Sequence, residues 1–202
     1  MELRKKDFQL GKIHGKTSPQ KKCSEATVQR NLFLGQRVTI VRKRDGRSNP
    51  VIRIFAYETP LKKVSRGMCI DLLGYDRDKN LYIFELKIEK STEKLSEVNL
   101  QIKCYADTLE EIKKYIEQEF NEEFFFTVEF KEIKKVVVAP REFYKNKKNK
   151  GAVNYERDIE YLYYRDPSVF MEVNIPSDVK LHVWKKRVKQ KCNWLSIVEL
   201  MK

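Results

Sequence analysis

The chain has 202 residues, 41% of them hydrophobic and 11% aromatic, and a net charge of +13, which excludes an intrinsically disordered protein and suits one substantial folded domain. Four scattered cysteines (Cys23, Cys69, Cys104, Cys192) form no C-x-x-C pair and only His14 and His182 supply imidazole, so structural zinc, a disulfide framework and a catalytic histidine are all disfavoured. No stretch approaches the roughly 20 apolar residues of a membrane span and the opening MELRKKDFQLGK lacks a signal-peptide core, so a reducing cytoplasm and no membrane partner are expected.

Residues 1–22 are basic and turn-rich and are expected to lie extended on the surface. From residue 23 onward the pattern reads as a single domain, with a β-rich, basic extension from about residue 151. Ser24 can cap a helix running to Phe33 or Leu34, which Gly35 would end. Residues 36–42 alternate as a strand, 44–50 form a loop, and 51–57 read as a second strand. Apolar, β-prone residues then flank the turn-like tract Asp76-Arg77-Asp78-Lys79-Asn80, which predicts a hairpin carrying Asp71 on one strand and Glu85 on the other.

From about residue 98 to residue 120, Ile102, Tyr105, Ala106, Leu109, Ile112 and Ile116 recur at helical spacing, which predicts a long amphipathic helix. Residues 124–130 and 134–139 are both strongly β-prone, and VVVAP has the unbroken apolar character of a buried central strand. Residues 143–150 suit a basic loop or short helix. Residues 159–164 and 169–173 suit two strands or a helix and a strand. The tail, 181–201, mixes Trp184 and Trp194 with basic residues, and core packing is the expected role of both tryptophans.

The chemistry gathers at the hairpin. Side chains on a strand alternate faces, so Glu85 and Lys87 project from one side while Leu86 points to the other, and Asp71 on the paired strand can converge with them. Two carboxylates on one face make an oxygen pair suited to Mg²⁺, and a neighbouring ammonium can steady charge at a reacting phosphate. Alternating Glu-x-Lys is also a common solvated pattern, but here the acids interrupt the apolar runs Met68-Cys69-Ile70 and Tyr82-Ile83-Phe84, where an uncompensated carboxylate is expensive to bury. Gln101 and Tyr105 are four apart on the long helix, share one face, and would pack toward the same sheet.

Asp71, the Glu85-Leu86-Lys87 tripeptide and Gln101-x-x-x-Tyr105 together resemble the PD-(D/E)XK nuclease superfamily, in particular its RecB-like branch. The resemblance covers roughly residues 51–139 and departs from the superfamily name at Ile70, which stands where that name has Pro. It implies an α/β fold with a mixed central β-sheet flanked by helices, a restriction-endonuclease-like core. It also implies that Asp71 and Glu85 bind Mg²⁺ (Mn²⁺ as substitute), that the Leu86 backbone carbonyl adds a ligand, that Lys87 is the catalytic lysine, and that Gln101 and Tyr105 support it. For the upstream acid of the superfamily, Glu58 is favoured because its strand would run beside Asp71, with Glu25 the alternative.

The charge points the same way. Residues 1–50 hold thirteen Lys or Arg against four Asp or Glu, and tracts such as Arg42-Lys43-Arg44, Lys62-Lys63, residues 145–150 and Lys185-Lys186-Arg187 suit a phosphate backbone. The function expected is a metal-dependent deoxyribonuclease that hydrolyses DNA phosphodiesters with a metal-activated water, RNA remaining a possible substrate and a homodimer a possible form for double-strand cutting. The rival expectation is a catalytically silent protein of the same fold that binds DNA or organises a complex.

Overall fold

The computed structural model describes residues 24–35, 37–41, 50–61, 69–146, 149, 155–164 and 192–196. The expectations for residues 1–22, the tracts at 42–47, 62–66 and 185–187, Lys147, Lys148 and Lys150, the strand at 169–173, both histidines and the packing of Trp184 and Trp194 lie outside the described residues and side chains.

Among the described residues, seven strands and three helices follow one another in the order α1 (Glu25–Gly35), β1 (Arg37–Val41), β2 (Val51–Pro60), β3 (Cys69–Tyr75), β4 (Leu81–Leu86), α2 (Leu95–Phe124), β5 (Ile133–Pro140), α3 (Arg141–Lys145), β6 (Ile159–Tyr164) and β7 (Cys192–Ser196). This is an α/β protein with a mixed sheet. β1 to β4 pair antiparallel in sequence order, and β4, β5 and β6 are parallel neighbours. The sheet curls on itself, and β7 closes it by pairing antiparallel with β6 and parallel with β1.

Strand periodicity divides the interior into two cores. On β4, Leu81 and Ile83 join the core beneath α2, while Tyr82, Phe84 and Leu86 join a second core with Val28, Leu32 and Phe33 of α1. On β5, Val137 and Ala139 take the first and Val136 and Val138 the second. Both faces of these strands are covered, which is why their sequences are continuously apolar instead of alternating. β3 approaches β2 so closely at Gly74 that a Cβ there would stand 2.7 Å from Ile52 and 2.9 Å from the Arg53 carbonyl, so only glycine fits beside the irregular register at Ile54 and Ala56.

The long helix begins three residues before the expected start and ends four beyond the expected end. Its first turn is held by the Leu95 N–H donating to Asn149 Oδ1 at 2.9 Å and by the Lys94 N–H donating to Glu97 at 2.8 Å. Ile102, Tyr105, Ala106, Leu109, Ile112 and Ile116 are all buried, as the spacing predicts. The expected strand at 124–130 is corrected. Phe124 ends α2, and the following segment is irregular because helix side chains take its amides, the Val128 N–H donating to Asn121 Oδ1 and the Phe130 N–H to Glu117 Oε1. Its apolar residues nevertheless pack, with Phe130 stacked 5.9 Å from Phe55 and edge-on to Phe120.

Candidate active site

The hairpin forms as predicted, with Leu72 opposite Phe84 and Leu73 opposite Ile83. Glu85 is one position beyond the Leu72–Phe84 pair, and alternation puts it on the α2 face with Ile83. It is 1% exposed, Lys87 4% and Asp71 8%. The Lys87 ammonium lies 2.7 Å from Glu85 Oε1 and 2.6 Å from Glu93 Oε2, so the Glu-x-Lys spacing does place both side chains together. Asp71 is gripped on both oxygens: Oδ1 accepts from Gln29 Nε2 at 2.7 Å and Oδ2 from the Leu86 N–H at 2.6 Å. Leu86 thus engages the cluster through its amide.

These groups feel one another strongly. Burial raises the Asp71 pKa well above its ordinary value, the Glu85 charge raises it further, and the Leu86 N–H offsets only part of this. Burial pushes Glu85 up from 4.5 to about 7 against the opposing pull of Lys87. For Lys87, burial works against the charge but is outweighed by Glu85 and Glu25, so its pKa rises above the usual lysine range. Glu25 is raised, first by burial and then by Glu93, with Lys87 opposing.

On α2, Gln101 Nε2 donates to the Tyr105 hydroxyl at 2.7 Å, so the two do share a face. Tyr105 is buried, and its hydroxyl is pushed up to about 12, chiefly by burial, with Glu85 and Asp71 adding to the rise. The helix pair and the hairpin acids therefore form one cluster.

Of the two upstream acids, it is Glu25 whose charge acts on Asp71, Glu85 and Lys87. The preference for Glu58 is corrected. Its strand does run beside β3, and the flanking pairs Tyr57–Leu72 and Thr59–Ile70 put it opposite Asp71. But Glu58 has a φ of 47°, in the left-handed region, and this break in the strand's alternation leaves its side chain exposed.

Sequence reasoning missed two members of the cluster. Gln29 follows Glu25 by four residues, one helical turn, a spacing that marks a shared face and was open to inspection. Glu93 follows β4 in an irregular segment, where nothing periodic singles it out.

Among the described residues, no group of three or more His, Cys, Asp or Glu side chains stands ready-arranged around a metal position. The donor set nevertheless fits a hard divalent cation. All the donors are oxygens, the Lys87 ammonium contacts two carboxylates, Glu85 and Glu93, and Glu85 Oε2 and Gln29 Oε1 are buried with no hydrogen-bond partner among the described residues. Comparison with protein-family models, with curated proteins and with solved structures finds no match to this chain.

No helix among the described residues is long and apolar enough to cross a membrane.

Proposed function

We propose that this protein is a metal-dependent nuclease of restriction-endonuclease-like architecture, acting on the phosphodiester bonds of DNA. The observation that carries this reading is the convergence of Asp71 and Glu85, both buried and mutually repelling, with Lys87 on Glu85 and the Gln101–Tyr105 pair alongside. This is the arrangement that the PD-(D/E)XK resemblance calls for. A structural role alone gives little reason to bury two carboxylates side by side, since each would be more stable apart or replaced by an apolar residue. Beside a polyanion, uncancelled carboxylates would also weaken binding unless a cation intervened.

Asp71 and Glu85 would hold Mg²⁺ or Mn²⁺, with Glu25 close enough in charge to contribute and the Leu86 carbonyl a further oxygen. The chemistry supplied by such an ion, when bound, would be polarisation of a phosphate oxygen and a lowered pKa for an attacking water. The chain's own residues do the rest. Lys87, kept protonated by its acidic neighbours, places a positive charge where the scissile phosphate gains negative charge. Gln101 holds the Tyr105 hydroxyl, which stays protonated near neutral pH and can donate to a phosphate oxygen or to water. The leucines and valines on either side of β4 and β5 keep bulk water from diluting these interactions.

The test is incubation of supercoiled, linear and single-stranded DNA with wild type, Lys87→Ala and Asp71→Ala, in Mg²⁺, in Mn²⁺ and in EDTA. Cleavage by wild type only, and only with metal, is expected, with DNA binding retained by both variants. Equal degradation by all three proteins would identify a contaminant. Salt-sensitive binding without cleavage under any condition would replace the enzyme with a silent DNA-binding protein.

A further inference from the structure

Asp71 is held by two donors that carry no net charge. The Leu86 N–H comes from β4 and the Gln29 amide from α1, and between them they occupy one position on each carboxylate oxygen. A carboxylate pinned on both oxygens cannot rotate about its terminal torsion, so its remaining lone pairs keep a fixed direction. A Lys or Arg at position 29 could pin Asp71 equally well, but its charge would cancel the one that a cation needs. An amide orients the acid without neutralising it.

Gln29 is itself 5% exposed, and its Oε1 is buried with no partner among the described residues. For the fold alone this is a poor bargain. A leucine of similar bulk would remove that orphaned oxygen and pack beside the Val28, Leu32 and Phe33 that anchor α1, at the cost of the donor to Asp71 Oδ1, so the amide serves the acid and not the packing. We infer that Gln29 is a positioning residue for the cation site, aiming the Asp71 carboxylate at the ion from α1. The inference rests on the cation site proposed above and deepens it by assigning α1 the task of orienting one ligand.

The experiment measures Mn²⁺ binding by calorimetry, without DNA, on the full chain as wild type, Gln29→Leu, Gln29→Met and Gln29→Lys, together with each protein's unfolding temperature in EDTA. Loss of an outer hydrogen-bond partner of a ligand weakens metal affinity by roughly 10–100-fold. Gln29→Leu and Gln29→Met are expected to show that loss while still unfolding cooperatively in EDTA within a few degrees of the wild-type temperature, the orphaned amide oxygen removed offsetting part of the donor lost to Asp71. Gln29→Lys is expected to abolish binding and to raise the unfolding temperature, because it gives Asp71 a counter-charge. Unchanged Mn²⁺ affinity in the apolar variants would overturn the inference and leave the nuclease reading intact. A fall in EDTA unfolding temperature across all variants with Mn²⁺ affinity unchanged would assign Gln29 to the fold, again overturning it. A wild type that takes up no Mn²⁺ would overturn both, and one that binds Mn²⁺ but never cuts DNA would sink the nuclease reading alone.

Discussion

Asp71 lies in β3 and Asp76 just past its end, 8% and 7% exposed, so the same hairpin buries two carboxylates to the same depth. Their surroundings differ. Asp76 takes the Asn80 N–H at 2.9 Å, the Asn80 side-chain amide at 2.8 Å and the Tyr82 hydroxyl at 3.0 Å, all from the turn and strand it helps to close. Asp71 is held by two donors but also faces Glu85 and Glu25, whose charges oppose its own. One acid fastens the turn. The other is crowded by like charges in a buried setting that favours its protonated form, and the Leu86 N–H offsets only part of this.

The largest effect expected from this contrast is on catalysis. Lys87→Ala should lower the cleavage rate by at least roughly 10²–10³-fold, as loss of a group that meets developing charge does, whereas Asp76→Asn should leave the rate per folded molecule within a few-fold. Single-turnover DNA cleavage measures both, and comparable losses would erase the distinction between the two acids.

Stability should invert the order. Asp76→Ala leaves the Tyr82 hydroxyl and the Asn80 amides without their acceptor and should cost about 2–3 kcal/mol in denaturant unfolding, while Asp71→Asn, by relieving repulsion, should leave the metal-free protein as stable as wild type or more so. A third way to sharpen the comparison is pH. The raised pKa of Glu85 means that the folded chain binds protons more tightly than the unfolded one, so metal-free stability grows as pH falls from about 7 toward 4.5 and the penalty is fully present above about 7. Asp71 shifts in the same direction, and Lys87, raised further, keeps its stabilising charge throughout that window. Thermal unfolding in EDTA should therefore be higher at pH 5.5 than at pH 8 by about 5 °C, and Glu85→Gln should flatten the difference. The smallest effect is expected at the rim. Glu93 is 45% exposed, so Glu93→Gln should change stability by less than about 1 kcal/mol while tightening DNA binding a few-fold at low salt.

The hairpin, the buried β5 and the face of α2 were legible because each is written in local periodicity: the turn tract 76–80 between apolar runs, VVVAP covered on both sides, and the buried positions from Ile102 to Ile116. What the sequence concealed depends on distant partners. The start of α2 is secured by Asn149, 54 residues away. The apparent strand at 124–130 fails to pair because Asn121 and Glu117 satisfy its amides first. At the site, strand spacing brings Lys87 onto Glu85 and the hairpin brings Asp71 to the Leu86 amide, while helix spacing brings Gln101 onto Tyr105. Glu58 went astray because one left-handed backbone angle reverses what alternation predicts. Spacing puts Gln29 on the helical face of Glu25, but that this face meets the hairpin acids, and that Glu93 does so too, is set by the tertiary fold.

The pairing of β7 with both β1 and β6 has a consequence for assembly. Open sheets offer a ladder of unpaired amides along each outer strand, onto which a second molecule or a stray peptide can stitch itself. Among the described residues the ring has no outermost strand, so a second copy of this chain would have to meet it through helices or connecting segments. Trimming away β7 would create two adhesive borders at once, and such a shortened protein should precipitate at concentrations where the intact one stays dispersed.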